Sequence, residues 1–382
     1  MTSPVLMRSF SAPCSSDGKG SIYVSGADGE KGSHIVQQLL DLPQRHPHLP
    51  PYPVYAGMPN ATTVNGQALQ KKGAHLIQFD IFENPEWVVE ALQGMAKLIL
   101  VVDPLSDRIT RNNAFHYAKT YIDAAKQANV SHIIFLTPFS PLDPSTSPNV
   151  TPPLTPPSSE GDKRRLSLSD ASSYRSQFMM MESHLQLQFP ASQITILRYP
   201  GILHQHLSFF AKHINTHNRF PLPSKQLQIT VESCNMQDIA RAVSFIAFSP
   251  TTRHSSNVYK LTGPQLLTLQ ELSERVSAGL GRDLPVDAMD MRSLKHVLGE
   301  TMGSDDKVAF LLEMWGLQQR LEGRRFEVTR DLELLTGQSG KTIGEYFKED
   351  SVKHIFTPGG AGPHPATQPP ATTATVPSQP VA

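Results

Sequence analysis

The chain has 382 residues, enough for one large α/β domain or two smaller ones, and its 34 Lys plus Arg balance its 34 Asp plus Glu. With a formal charge of zero, nothing in the composition suggests the clustered basic surface that direct nucleic-acid binding needs. The two cysteines, Cys14 and Cys234, have no CxxC spacing, so neither a disulfide framework nor a thiolate metal site is expected, and a reducing compartment, cytoplasmic or nuclear, fits. No apolar run has the length of a membrane span, and the N-terminus lacks the apolar core of a signal peptide.

Residues 1–19 read as a flexible tail. Ser21–Ser25 is β-prone, and Gly32–Leu40 has helical amphipathic spacing. Val54–Gly57 then reads as strand, Gly66–Lys72 as helix, Ala74–Phe79 as strand, and Pro85–Leu92 as helix with Asn84 as its cap. Lys97–Val102 is apolar after its first residue, as in a parallel strand covered on both faces. Asn112–Asn129 is a long amphipathic helix, Ser131–Leu136 a fifth strand, Gln177–Leu187 a helix and Gln193–Arg198 a sixth strand. The remainder is richer in helix, at Met236–Ala247, Leu269–Leu280, Met291–Leu298 and Asp306–Leu321, with one more strand at Val258–Leu261. Strands alternating with helices predict an α/β fold, a doubly wound parallel sheet with helices on both faces. The later helices predict a small C-terminal lobe capping the carboxyl ends of the strands.

The 32 prolines mark where regular structure stops. They concentrate in residues 42–53, in a Ser/Pro-rich insertion at 138–172, and in a Pro/Thr/Ala tail at 357–382. None has apolar periodicity, so all three read as loops or disorder. Within the insertion, Arg164-Arg165-Leu166-Ser167 is a basophilic-kinase pattern that makes Ser167 a phosphorylation candidate able to fold back on the two arginines.

Chemistry concentrates at Gly26-Ala27-Asp28-Gly29-Glu30-Lys31-Gly32, which ends the first strand and opens the first helix. Gly26 permits a sharp exit, Gly29 lets the backbone approach a pyrophosphate, and Gly32 lets helix and sheet pack closely. The helix N-terminus then faces the anion. Further landmarks are Gly73-Ala74 leading to Asp80-Ile81, Thr195–Gly201 after the helix bearing Glu182, Asp238-Ile239-Ala240-Arg241, and Leu261-Thr262-Gly263-Pro264 before Thr268 and a helix ending Leu280-Gly281-Arg282.

With this ordered set, from about Ser21 to Phe347, the chain resembles the NmrA-like group of atypical short-chain dehydrogenases/reductases. The resemblance implies a Rossmann domain over residues 20–350 that binds NAD(P), with residues 200–347 contributing a small substrate lobe. It implies that Asp80 and Ile81 flank the adenine and that Val102-Asp103-Pro104 runs beside the nicotinamide. Cofactor contacts are accordingly expected at Gly26, Ala27, Asp28, Gly29, Lys31, Gly32, Met58, Asp80, Ile81, Val102 and Asp103. The second strand ends Gly57-Met58-Pro59-Asn60, with no carboxylate to repel a 2′-phosphate, which favours NADP. Lys31 is either a contact to that phosphate or a solvated helix-start lysine.

The Tyr-x-x-x-Lys pair of catalytic superfamily members is absent. Tyr174 is followed four residues on by Phe178 and then Met179, Met180 and Met181, so a loop tyrosine is the better reading of Tyr174. Thr137 and Ser140 are the other candidate catalytic hydroxyls, with a locally bonded turn as the alternative. The methionines point in different directions, so some belong to the core and others could line an adaptable pocket. Glu182 reads as a structural ion-pair partner, Cys234 as a small buried side chain, and His204 and His206 as polar loop residues without the further ligands that a metal needs. Two functions follow. One is an NAD(P)H-dependent reductase of a small conjugated acceptor, a quinone, enone or imine, working by direct hydride transfer. The other is a non-catalytic NAD(P)-binding redox sensor acting on a protein partner.

Overall fold

The computed structural model describes residues 20–49, 52–140, 173–223, 227–320 and 326–357. The tail at 1–19, most of the 138–172 insertion with Arg164, Arg165 and Ser167, and residues 358–382 lie outside the described residues.

Seven parallel strands form the central sheet: β1 (Ser21–Val24), β2 (Val54–Met58), β3 (His75–Gln78), β4 (Met95–Leu100), β5 (His132–Thr137), β6 (Ile194–Arg198) and β7 (Asn257–Lys260), in the order β7-β6-β5-β4-β1-β2-β3. Tyr23 of β1 lies between Tyr55 of β2 and Leu98 of β4. The order reverses between β1 and β4, so the crevice at their carboxyl ends is the topological switch point where such sheets bind ligands. β1, β2, β4 and β5 are buried along their whole length, which is why they read as apolar runs. Lys97 is the exception in β4; its ammonium donates to the Ser249 carbonyl.

One face of the sheet carries α1 (Glu30–Arg45), whose Ile35, Val36 and Leu39 join a core with Ile239, Val243 and Ile246 of the helix Met236–Phe248. That helix therefore completes the sheet's own layer; it does not belong to the cap, as its place in the sequence suggested. The chain continues through α2 (Val64–Lys71) and α3 (Trp87–Leu92), and the other face carries α4 (Ala114–Gln127) and α5 (Tyr174–Gln188), with Tyr117, Tyr121, Phe178 and Met181 in the second core. The C-terminal lobe includes Leu269–Leu280, opened by a Thr268–Glu271 capping box and closed by Gly281 in the left-handed conformation, together with Met291–Met302, Asp305–Arg320 and Ile343–Lys348.

Two local expectations change. α1 does not stop before the proline-rich stretch but runs through Pro43 to Arg45. Pro43 has no N–H to give the Leu39 carbonyl, but it falls in the last turn, so the loss is confined to the helix end, and Leu42 is buried against the core. Asn84 does not cap the third helix, Trp87–Leu92, which begins after Glu86. The local chain is turned instead by Asp80, whose carboxylate accepts the Phe82 amide at 3.0 Å.

Candidate functional site

Gly26 has φ +58°, a conformation that side chains disfavour, and it redirects the chain out of β1. A Cβ on Gly32 would lie 2.1 Å from the Gly26 carbonyl oxygen, so the turn closes only with glycine there. The Ala27 amide donates to the Gly57 carbonyl at 3.0 Å, tying the turn to β2. Gly29 is the N-cap of α1 and supplies no side-chain cap, so the helix presents its first-turn amides to whatever occupies the turn.

In front of the turn lies an open cleft lined by Gly26, Asp28, Met58, Asp80, Ile81 and Arg108 among others. The sequence-predicted residues Asp28, Met58, Asp80, Ile81 and Asp103 thus converge from the ends of β1, β2, β3 and β4. Val102 is buried beneath them, and the Ser25 hydroxyl clamps β1 to β4 by accepting the Val101 amide at 2.9 Å and donating to the Val101 carbonyl at 3.1 Å. Burial raises the carboxyl pKa values of both Asp28 and Glu30.

Arg108 was not anticipated. It sits in the loop after β4, in ion pair with Asp80, its guanidinium 6.0 Å from the centre of the Phe82 ring. Its only sequence signal is a cation in the polar run Ser106-Asp107-Arg108 after an apolar strand.

Lys31 is neither solvated nor at the end of β2. It is 1% exposed, outside the cleft lining, with Nζ 2.6 Å from Asp103 Oδ1. Asp103, 4% exposed, follows β4 and offers the charge that makes the buried ammonium tolerable. Burial opposes both charged forms, yet the pair holds Lys31 above its ordinary pKa and Asp103 below the usual carboxylate range. A Cβ on Gly29 would come within 3.1 Å of Asp103 Oδ2, so this carboxylate lies directly against the glycine turn.

Beside this pair lie two further buried polar residues, Tyr199 and His206. Tyr199 follows β6, and the Lys31 ammonium is 5.9 Å from the centre of its ring. His206 lies in the 3₁₀ segment His204–Phe210 and accepts the Leu203 amide on Nδ1 at 3.3 Å. His204 and His206 are buried, not polar loop residues, and burial lowers both to about 3, so both are neutral.

The three candidate hydroxyls do not join the cleft. Thr137 Oγ1 accepts the Phe139 amide at 3.1 Å, a locally bonded turn. Ser140 is half-buried at the end of the described segment. Tyr174 is not a loop residue: it opens α5 fully buried, its ring edge-on to Phe310 at 5.4 Å and its hydroxyl directed at the Ile109 carbonyl, 3.4 Å away. Its burial follows from Asp305–Arg320 packing over α5, where Glu313 accepts the Tyr174 and Arg175 amides at 2.9 Å each. Glu182 pairs with Arg198 at 2.7 Å, and Cys234 is buried. Met181 is core, Met179 partly buried and Met180 exposed. Among the described residues, no cluster of His, Cys, Asp and Glu is arranged to hold a metal, and no helix is long and apolar enough to cross a membrane.

The sheet order, the switch-point cleft and the glycine turn define a Rossmann-type α/β protein. Within that class, residues 18–149 match the model of the NmrA-like family. The chain is 23% identical over 332 residues to an NAD(P)H azoreductase of Xenophilus azovorans, covering 86% of this chain and 96% of that one. Its fold is similar to that of an NADPH-dependent quinone oxidoreductase of Escherichia coli (TM-score 0.64, 20% identity, 88% of this chain and 100% of that one). It is also similar to NmrA, a negative transcriptional regulator crystallised with NAD (TM-score 0.60, 14% identity, 87% and 95%).

Proposed function

We propose that this protein is an NAD(P)H-dependent reductase of a small conjugated acceptor, a quinone, azo compound, enone or imine. The observation that carries this reading is the cleft at the switch point, with the glycine turn at one end and Asp80 and Ile81 at the other. The residues fit a dinucleotide. The first-turn amides of α1 would bind the pyrophosphate, Met58 and Ile81 would flank the adenine, and Arg108 would face a 2′-phosphate, which favours NADP. Val102 and Asp103 follow β4 on the other side of the switch point, where the nicotinamide half belongs. When bound and reduced, the nicotinamide supplies the hydride. The chain's own contribution is to orient the acceptor, exclude water and hold the proton that accompanies the hydride; the C-terminal lobe built from the helices after residue 268 would receive the acceptor. Similarity to an azoreductase and a quinone oxidoreductase supports acceptors of this kind.

The second reading, an NAD(P)-binding regulator of a protein partner, is favoured by one observation. Tyr174, the only tyrosine near the expected catalytic position, is built into the core, and Phe178 stands where its lysine would be.

The test is NADPH oxidation against a panel of quinones, azo dyes, enones and imines, run beside calorimetric titration with NADP and NAD. Turnover with at least one acceptor is expected. Tight dinucleotide binding without any turnover would select the regulator, and absence of binding would sink both readings.

A further inference from the structure

The C-terminal half of the chain carries a second concavity, and none of its lining residues belongs to the cleft at the switch point. It is an open groove of ≈ 640 Å³ between the helix Ala211–His217 and the helix Met291–Met302. That volume lies within the roughly 300–1,000 Å³ of small-molecule sites.

Helical spacing builds the groove. Ala211 and Ile214 turn one face of the first helix into the core, which leaves Lys212, His213, Thr216 and His217 on the groove side. Leu294 and Leu298 do the same for the second helix, which leaves Arg292, His296 and Glu300 in line at intervals of four. Met289 and Val297 supply an apolar part; both pack against the core, and the Met289 amide donates to the Leu222 carbonyl at 2.9 Å.

A carboxylate is already held there. Glu300 Oε2 lies 3.1 Å from Lys212 Nζ of the facing helix, and Glu300 Oε1 lies 3.2 Å from His296 Nε2. Lys212 above all holds the Glu300 carboxyl below its ordinary pKa. The Lys212, Glu300 and His296 side chains are 58%, 43% and 80% exposed, so water competes for both contacts and the pairing is weak. Arg292 lines the same groove without an ion pair among the described residues. The Asp290 carboxylate, two positions before it, caps their helix by accepting the Ser293 amide at 2.8 Å. His213 is committed to Asp287, donating from Nε2 to Oδ2 at 3.0 Å, with its ring 4.5 Å from that of His217. The histidines do not make a metal site, since no described cluster is arranged to hold one.

We propose that this groove binds a small organic anion, a carboxylate or sulfonate on an apolar body, which displaces Glu300 from Lys212 and places its head on Lys212 and Arg292 and its body on Met289 and Val297. The lining holds two permanent cations, Lys212 and Arg292, against one carboxylate, Glu300, which favours an anion over a cation. An incoming carboxylate or sulfonate reaches Arg292, which Glu300 leaves unmatched, and the planar guanidinium offers it paired N–H donors. The apolar body gains from the area it removes from water.

This site shares no residue with the cleft, so it stands or falls independently of the reductase reading. The probe is 1-anilinonaphthalene-8-sulfonate, an aromatic sulfonate whose fluorescence rises on binding. Full-length wild type, Arg292→Ala and Glu300→Gln are titrated with it at one ionic strength, with melting temperatures measured alongside. Wild type should bind one equivalent, which octanoate displaces and octanol does not. Arg292→Ala should weaken binding about threefold to tenfold. Glu300→Gln should tighten it about twofold to fivefold, because the internal competitor is gone. Both positions are exposed, and opposite shifts from two residues of one helix cannot come from a loss of folding. No binding by wild type, equal affinity in all three proteins, displacement by octanol as readily as by octanoate, or weaker binding by Glu300→Gln would each overturn the proposal.

Discussion

The Lys31 ammonium lies 2.6 Å from the Asp103 carboxylate, and this pair fastens the first turn of α1 to the loop after β4 where water is excluded. Removing one partner of a buried ion pair leaves the other charge uncompensated, at a cost of about 3–5 kcal/mol. Lys31→Met should therefore lower unfolding free energy by that order in a denaturant titration. Adding Asp103→Asn should recover most of the loss, because the stranded charge is gone. A double variant no more stable than the single one would show that the lysine stem, not its charge, matters.

The same carboxylate faces the glycine turn, where a Cβ on Gly32 would lie 2.1 Å from the Gly26 carbonyl oxygen. Nothing flexible stands in that gap, so the strand–helix junction must spread. Gly32→Ala should cost about 1–3 kcal/mol of stability and weaken dinucleotide binding by roughly tenfold to a hundredfold, both measurable on the same preparation by denaturation and calorimetry.

Arg108 is a cation of the cleft lining, paired with Asp80, while β2 itself ends at Met58 without a carboxylate. Arg108→Ala should reduce NADP affinity about tenfold, or roughly 1.4 kcal/mol, while NAD affinity changes much less. Parallel titrations with the two cofactors give the ratio directly. Equal losses for both would place the guanidinium on the shared part of the dinucleotide.

Acid stability follows from buried imidazoles. Burial lowers His132, His204 and His206 each to about 3, below the ordinary 6.5 of an unfolded histidine. Between those values the unfolded chain binds more protons than the folded one, so stability falls as pH falls from about 6.5 toward 3, by up to about 1.4 kcal/mol per pH unit for each histidine. Melting curves at pH 7, 6, 5 and 4 should show an accelerating decline below pH 6.5. His204→Asn should flatten that decline relative to wild type at equal ionic strength; an unaltered slope would remove His204 from the account.

The sequence by itself determined the elements and the first half of the site, because those depend on local spacing. Gly26, Gly29 and Gly32 between a β-prone run and an amphipathic helix specify their turn within twelve residues, and apolar runs such as Lys97–Val102 specify buried parallel strands. Asp80 and Asp103 were expected from the family resemblance and not from local spacing, and the fold places them with Asp28 and Met58 around one cleft. Tertiary structure alone decided what those ends meet. The Met236–Phe248 helix joined the sheet's layer because its apolar face found Ile35, Val36 and Leu39 of α1, about two hundred residues earlier. Lys31 reads identically on paper whether solvated or buried; a carboxylate 72 positions away decided it. His204 and His206 read as polar loop residues on paper, and only the packing of distant segments around them makes them buried and neutral.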